Sequence, residues 1–499
     1  MGDPHLQQQP AVERPVANFP MQAVVVIHGM GEQKPMDTIR SFVRAVWETA
    51  ADLTPNKPNA TEVWSKPDVA TGSLELRRIT TRESIATQTF ANGVRTDFYE
   101  MYWADLSGGS TWNDVEVWLA GLLFRNPFTR IPRAILLAWA TLWILALAVA
   151  VLAVATVLPQ DASIGSWSPW DYWPLHGLAH IQGWKLAAAT AVLGWITQFF
   201  VVPYFGRVVR YTRANPDNIK AREEIRERGL ALLNELHKTR YSRIIVVGHS
   251  LGSILAYDLV SYFWARRMES HSVTEGTPEF EALRELERAI AAVARNERSA
   301  VAAYRDAQTN FGRLLRTRPR PQPGGADTRW LITDLVTLGS PLSHAEFLLA
   351  NSRADFEKRK QDREFPTSPP LREELDPAAL ARAKAAGFPL DPDNPRLIAF
   401  PFGGNHWQLH HATPFAAIRW TNIYDPVRLV MFGDQLSGPV APSFGPGVLD
   451  VDLRALRGQS WRFTHTRYWK PTPDPATALP RHIAELRAAL DLGGQRRRL

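Results

Sequence analysis

Residues 243–258, RIIVVGHSLGSILAYD, leave the chain little freedom in how it folds. Four apolar, mostly β-branched residues, Ile244 to Val247, predict a buried strand, and Gly248-His249-Ser250-Leu251-Gly252 follows at once. An alanine- and leucine-bearing helical pattern begins directly after it. A serine between a strand and a helix, with glycines two residues to either side, occupies a strained turn that lifts its hydroxyl above the sheet edge. The flanking glycines are needed because side chains there would collide with the neighbouring strand and helix. This context makes Ser250 the candidate nucleophile, with Gly248, His249 and Gly252 as its supporting motif.

A second apolar run, Ala23 to Ile27, reads as a parallel-type buried strand ending in His28-Gly29-Met30-Gly31. A strand that ends in His-Gly-x-Gly ahead of a serine turn suits one half of an oxyanion site, because glycines let the backbone turn with an N–H free. Further strands are expected at residues 74–79, 98–103, 335–338 and 416–424. Helices are expected at 36–53 and 215–237. Residues 278–316 form a charged helical stretch, read as a solvated face without chemistry. The fold class expected is α/β, a mostly parallel sheet flanked by helices.

Two long apolar runs interrupt that pattern. Residues 134–158 and 186–206 carry no charge, and as helices they would reach about 37 Å and 32 Å, against a hydrocarbon core of about 30 Å. Arg125, Arg130 and Arg133 precede the first run, and Arg207, Arg210 and Arg213 follow the second. The intervening loop holds Trp167, Trp170, Trp173 and Trp184 and a single basic residue, Lys185. The expectation is an inserted transmembrane hairpin at 131–207 with both flanks cytoplasmic, in a two-pass protein of the bacterial inner membrane. Buried core helices and a hairpin dipping into one leaflet are the alternatives.

The domain organisation expected is as follows. Residues 1–20 are a flexible lead-in without the apolar core of a signal peptide, and 21–130 begin the α/β domain. Residues 208–275 carry the serine turn, 276–330 a helical insertion, and 331–350 a core strand. Residues 351–400 make a lid-like excursion, and 401–499 hold the remaining catalytic candidates and a terminal helix. The net charge of +7 comes without any aromatic–basic recognition module, so nucleic acid is not an expected partner. The chain has no cysteine, which excludes disulfides and thiolate chemistry. No cofactor or metal is expected.

An activated serine needs a base and an acid to orient it. Asp425, just past the strand at 416–424, is the best-placed acid, with Asp434, Asp450 and Asp452 as rivals. His465, in a late loop, is the best-placed base. His482 lies in a terminal helix, and His406, His410 and His411 precede the acid. The order Ser250, Asp425, His465 is that of α/β-hydrolases rather than of chymotrypsin-like or subtilisin-like enzymes.

The motifs VVVIHGMGEQ, VVGHSLGSILAYD, VTLGSPL, WTNIYDPV and HTRYW resemble those of bacterial α/β-hydrolase-fold lipases and esterases. They are also similar to those of DDHD-type intracellular phospholipases, which share an HGIG-like loop and a GHSLGS turn followed by an AYD helix. The resemblance covers residues 21–110 and 215–470 in patches. It implies an α/β-hydrolase fold, here carrying the inserted hairpin and the lid-like excursion, with Ser250 as nucleophile, His465 as base, Asp425 as its partner, and the Met30 and Leu251 amides as the oxyanion hole. The function it implies is hydrolysis of a carboxylic ester, expected to be that of a lipid at the bilayer. A catalytically inactive binding module, or an acyltransferase or thioesterase using the same residues, are the other readings.

Overall fold

The computed structural model describes residues 20–29, 34–53, 62–107 (except 88), isolated positions between 140 and 191, and 216–494 apart from 321–324, 326, 392–393, 427–433, 435, 456–464 and 471–478. An eight-stranded sheet organises them. Its strands are β1 (Met21–Ile27), β2 (Val63–Pro67), β3 (Arg77–Glu83), β4 (Arg95–Met101), β5 (Tyr241–His249), β6 (Ile332–Leu338), β7 (Arg419–Tyr424) and β8 (Leu449–Asp452). The spatial order is β8-β7-β6-β5-β1-β4-β3-β2. Six strands from β8 to β4 are parallel, and β3 and β2 add antiparallel pairings at one edge.

Both faces of the sheet are covered. Side chains of β1 and β5 alternate between two cores: Ala23, Val25, Ile27, Ile244 and Val246 enter one, and Val24, Val26, Ile245 and Val247 the other. The first core is closed by α2 (Pro216–Lys238), α3 (Leu251–Arg266), α4 (Pro278–Ala294) and α5 (Ala300–Arg316). Among the helices on the opposite face are α1 (Asp37–Val43) and the C-terminal helix Arg481–Leu490. With apolar residues on both sides, hydrophobic alternation cannot set strand register. Buried polar pairs do so instead. Gln22 lies opposite Thr96 on β4 and donates to its hydroxyl at 2.9 Å. Its amide also donates to Leu492 O at 2.8 Å, which ties the C-terminal segment to the central strand.

Several expectations change here. The stretch 278–316 is two helices rather than one solvated face, and Phe280, Leu283, Leu286, Ile290, Tyr304 and Phe311 are buried in the main core. Charge repeats there decorate one side of amphipathic helices whose other side packs. The excursion 351–400 contains the helices Arg353–Gln361 and Pro377–Ala385. Its Phe356, Ala383, Leu397 and Ile398 join the same core, and the buried carboxylate of Glu287 on α4 accepts the Ile398 N–H at 2.7 Å.

The inserted membrane hairpin, and with it the two-pass inner-membrane location, is corrected. Among the described residues no helix is long and apolar enough to cross a membrane. Most of 134–158 and 186–206 lies outside the described residues. An uncharged run supplies reach alone. A span also needs one continuous helix to satisfy its own backbone in lipid, and hydropathy does not test for that.

Buried titratable groups set a pH window for stability. Burial holds His237, His249 and His271 down at about 3, and His344 and His410 at about 4. These histidines are neutral in the fold, so their contribution is complete above the unfolded value of about 6.5 and is lost as pH falls below it. Burial pushes Glu100 up to about 7 and Glu287 up to about 8. Their contribution is complete below about 4.5 and is lost as pH rises through those values. The histidines outnumber the glutamates on the acid side, so stability is expected to peak near pH 6.5 and to fall in both directions. Urea midpoints at pH 5, 6.5 and 8 measure this, and Glu287→Gln should flatten the alkaline side.

Candidate active site

The strand order reverses direction at β1, whose neighbours β5 and β4 are reached by separate excursions of the chain. In open α/β sheets a crevice for ligands forms at the carboxyl ends of the strands beside such a reversal. Ser250 stands there, at the end of β5 and immediately before α3. Its backbone is at φ 54°, ψ −131°, a conformation that costs a non-glycine residue about 1–3 kcal/mol. The strain is held from several sides. The Ser250 N–H donates to Leu338 O at 2.9 Å. Ser253 Oγ donates to Ser250 O at 2.5 Å and lies 2.6 Å from Ser340 Oγ, at the end of β6.

The glycines are where space demands them. A Cβ on Gly252 would lie 2.3 Å from His28 O and 2.5 Å from Ile27 O, so α3 packs directly on the end of β1. A Cβ on Gly248 would lie 2.6 Å from Gly252 O, and one on Gly29 2.7 Å from Ser250 Cβ. His28 is locked by Trp103. Its Nε2 accepts the Trp103 N–H at 3.2 Å, so Nδ1 carries the proton and donates to Gly29 O at 2.9 Å. The Trp103 indole N–H returns to His28 O at 3.0 Å, and the two rings stack 5.2 Å apart. The Leu251 amide heads α3, where the first N–H groups of a helix have no partner within it. Met30 and Gly31 lie outside the described residues.

The carboxylate that reaches His465 is that of Asp434. His465 Nδ1 lies 2.8 Å from Asp434 Oδ2. Asp425 is buried at the end of β7, where its N–H meets Tyr468 Oη at 3.2 Å and its carbonyl accepts the Asp434 N–H at 3.0 Å. The assignment of Asp425 as partner of His465 is therefore corrected. The later aspartate, whose N–H meets Asp425 O, is the one that reaches the imidazole. Asp434 is wholly buried. Burial alone would raise its carboxyl, but the His465 bond and charge, the Tyr468 hydroxyl and the Leu436 N–H outweigh that and hold it below the usual range. As a carboxylate it can only accept, so His465 carries its proton on Nδ1 and presents a bare Nε2.

His249 braces the same loop. Its Nε2 donates to His465 O at 2.9 Å, and its ring packs against His465 and Trp469. Gly339 forms the floor. At φ 57°, a Cβ there would lie 2.6 Å from the Tyr468 ring, 2.9 Å from Asp434 Oδ2 and 3.1 Å from His465 Cε1. The rivals are committed elsewhere. Asp450 accepts from Asn422, Val440 and Ala441, and Asp452 from the Arg454 N–H. His482 Nε2 bonds Lys470 O and His410 Nε2 bonds Leu371 O, while His406 pairs with Thr274.

Two polar atoms stand out. Ser250 Oγ and His465 Nε2 are both buried, and neither has a hydrogen-bond partner among the described residues. Buried polar atoms are rarely left so, and a nucleophile–base pair often tightens only when substrate is bound. Tyr468 and Gly339 were not singled out from sequence; a glycine directly after a strand, in the VTLGSPL motif, is the one signal that pointed toward the latter. No family model, curated protein or solved structure matches this chain.

Proposed function

We propose that this chain is a serine hydrolase of carboxylic esters. Ser250 Oγ attacks the ester carbonyl while His465 Nε2 takes its proton. Asp434 fixes the imidazole tautomer and stabilises the imidazolium that forms. The tetrahedral oxyanion is received by the Leu251 amide at the head of α3, with the Met30 amide as the second donor expected from sequence. The imidazolium then protonates the leaving alcohol, and water, deprotonated by the same Nε2, releases the acyl group from Ser250. The observation that carries this reading is the combination of a strained Ser250 with a His465–Asp434 pair whose buried Nε2 has no hydrogen-bond partner among the described residues.

A fluorophosphonate probe tests it. The folded wild-type protein is expected to be labelled at Ser250, as located by peptide mass spectrometry, and Ser250→Ala to give no labelling. Wild-type protein that stays unlabelled while folded would overturn the proposal.

A further inference from the structure

We propose that Tyr468 is a positioning residue for the acid: it holds Asp434 and keeps the carboxylate ionised beneath His465. This rests on the serine hydrolase reading. The phenol donates to Asp434 Oδ2 at 2.7 Å, the same oxygen that takes His465 Nδ1 at 2.8 Å. A phenol has one proton to donate, and this one is spent on a group that can only accept. Two further contacts of Tyr468 Oη among the described residues are therefore received: the Asp425 N–H at 3.2 Å and the Ser437 hydroxyl at 3.1 Å. Asp434 Oδ1 takes the Leu436 N–H at 3.0 Å, so both carboxylate oxygens have donors.

The phenol thus joins three separate pieces of chain: the end of β7 at Asp425, the turn carrying Asp434, and the loop carrying His465. Its ring meets the His465 ring edge-on at 6.5 Å and lies 5.9 Å from that of His249. Burial, reinforced by the neighbouring Asp434 charge, pushes the phenol well above its ordinary value, so it stays a donor at every working pH. A donor fixed on the shared oxygen does two things. It keeps Oδ2 where the imidazole needs it, and it lowers the affinity of Asp434 for the proton on Nδ1.

Tyr468→Phe in the full chain removes the hydroxyl and keeps the ring. We expect kcat on a p-nitrophenyl ester to fall about 10- to 100-fold with KM nearly unchanged, the loss typical of one hydrogen bond to a charged group. The downfield proton resonance of His465 Nδ1–H, identified by its loss in His465→Ala, should move further downfield because Oδ2 no longer serves two donors. Ser437→Ala, which touches the same phenol but sends no side-chain bond to Asp434, should leave that resonance in place. An unmoved resonance in Tyr468→Phe, whatever happens to kcat, reduces the tyrosine to packing and overturns the proposal, as does a moved resonance with unchanged kcat. Fluorophosphonate labelling of wild type separates the two levels: labelling at Ser250 with an unmoved resonance defeats only the role of Tyr468, and no labelling defeats the hydrolase reading itself.

Discussion

Asp434→Asn is expected to lower kcat by about 10⁴-fold, the effect of turning the orienting acid of a serine triad into an amide. The amide is nearly isosteric, so packing around the buried side chain is retained. What changes is the proton. A carboxylate at 2.8 Å from His465 Nδ1 forces the proton onto that nitrogen and leaves Nε2 basic. An amide can turn its NH₂ toward the ring, favour the opposite tautomer, and leave Nε2 protonated and unable to accept from Ser250. Asp425→Asn leaves the Asp434–His465 contact intact, and a loss of less than about tenfold is expected, within the effect of one perturbed hydrogen bond. The comparison is made on hydrolysis of a p-nitrophenyl ester and on the rate of fluorophosphonate labelling, which reads activation of Ser250 directly. If Asp425→Asn proved the more damaging of the two, the acid would be misassigned.

That pair of variants also marks where the sequence stops being informative. The strands β1 and β5 were legible because continuous apolar runs end in glycines that only a tight strand-to-helix passage explains. Ser250 and His28-Gly29 came with them, since both sit where those strands stop. The acid was not legible in the same way. Asp425 follows β7 directly, so its place is local, whereas Asp434 reaches the site only because its N–H returns to Asp425 O. Closing a short loop costs little and depends weakly on its length, so spacing cannot rank two aspartates this close in sequence. Tyr468 was hidden for a related reason: its hydroxyl meets Asp425, Asp434 and Ser437, 31 to 43 positions away. The membrane hairpin fails differently. Residues 134–158 satisfy a composition test, but among the described residues no helix is long and apolar enough to cross a membrane.

Gly339→Ala is expected to lower kcat by about 10²-fold or more with the fold intact, although residue 339 donates no group to the reaction. Its added methyl has no free space. It would sit 2.6 Å from the Tyr468 ring and 2.9 Å from Asp434 Oδ2, closer than a Cβ tolerates, and 3.1 Å from His465 Cε1, a tight contact. The residue is also at φ 57°, where a side chain costs roughly 1–2 kcal/mol. That strain is small beside the stability of a domain this size and should appear as a lowered urea midpoint rather than unfolding. The clash itself falls on the site. The backbone of Gly339 is held by its N–H to Ile423 O at 3.1 Å, so the side chains above it must move. A displacement of about 1 Å between a nucleophile and its base is enough for a 10²-fold loss. Because the methyl pushes Asp434, His465 and Tyr468 together, the His465 Nδ1–H resonance should shift or broaden in Gly339→Ala as well. Undiminished turnover would mean that the three side chains can relax without leaving productive geometry, and that the close packing over Gly339 is not what positions His465.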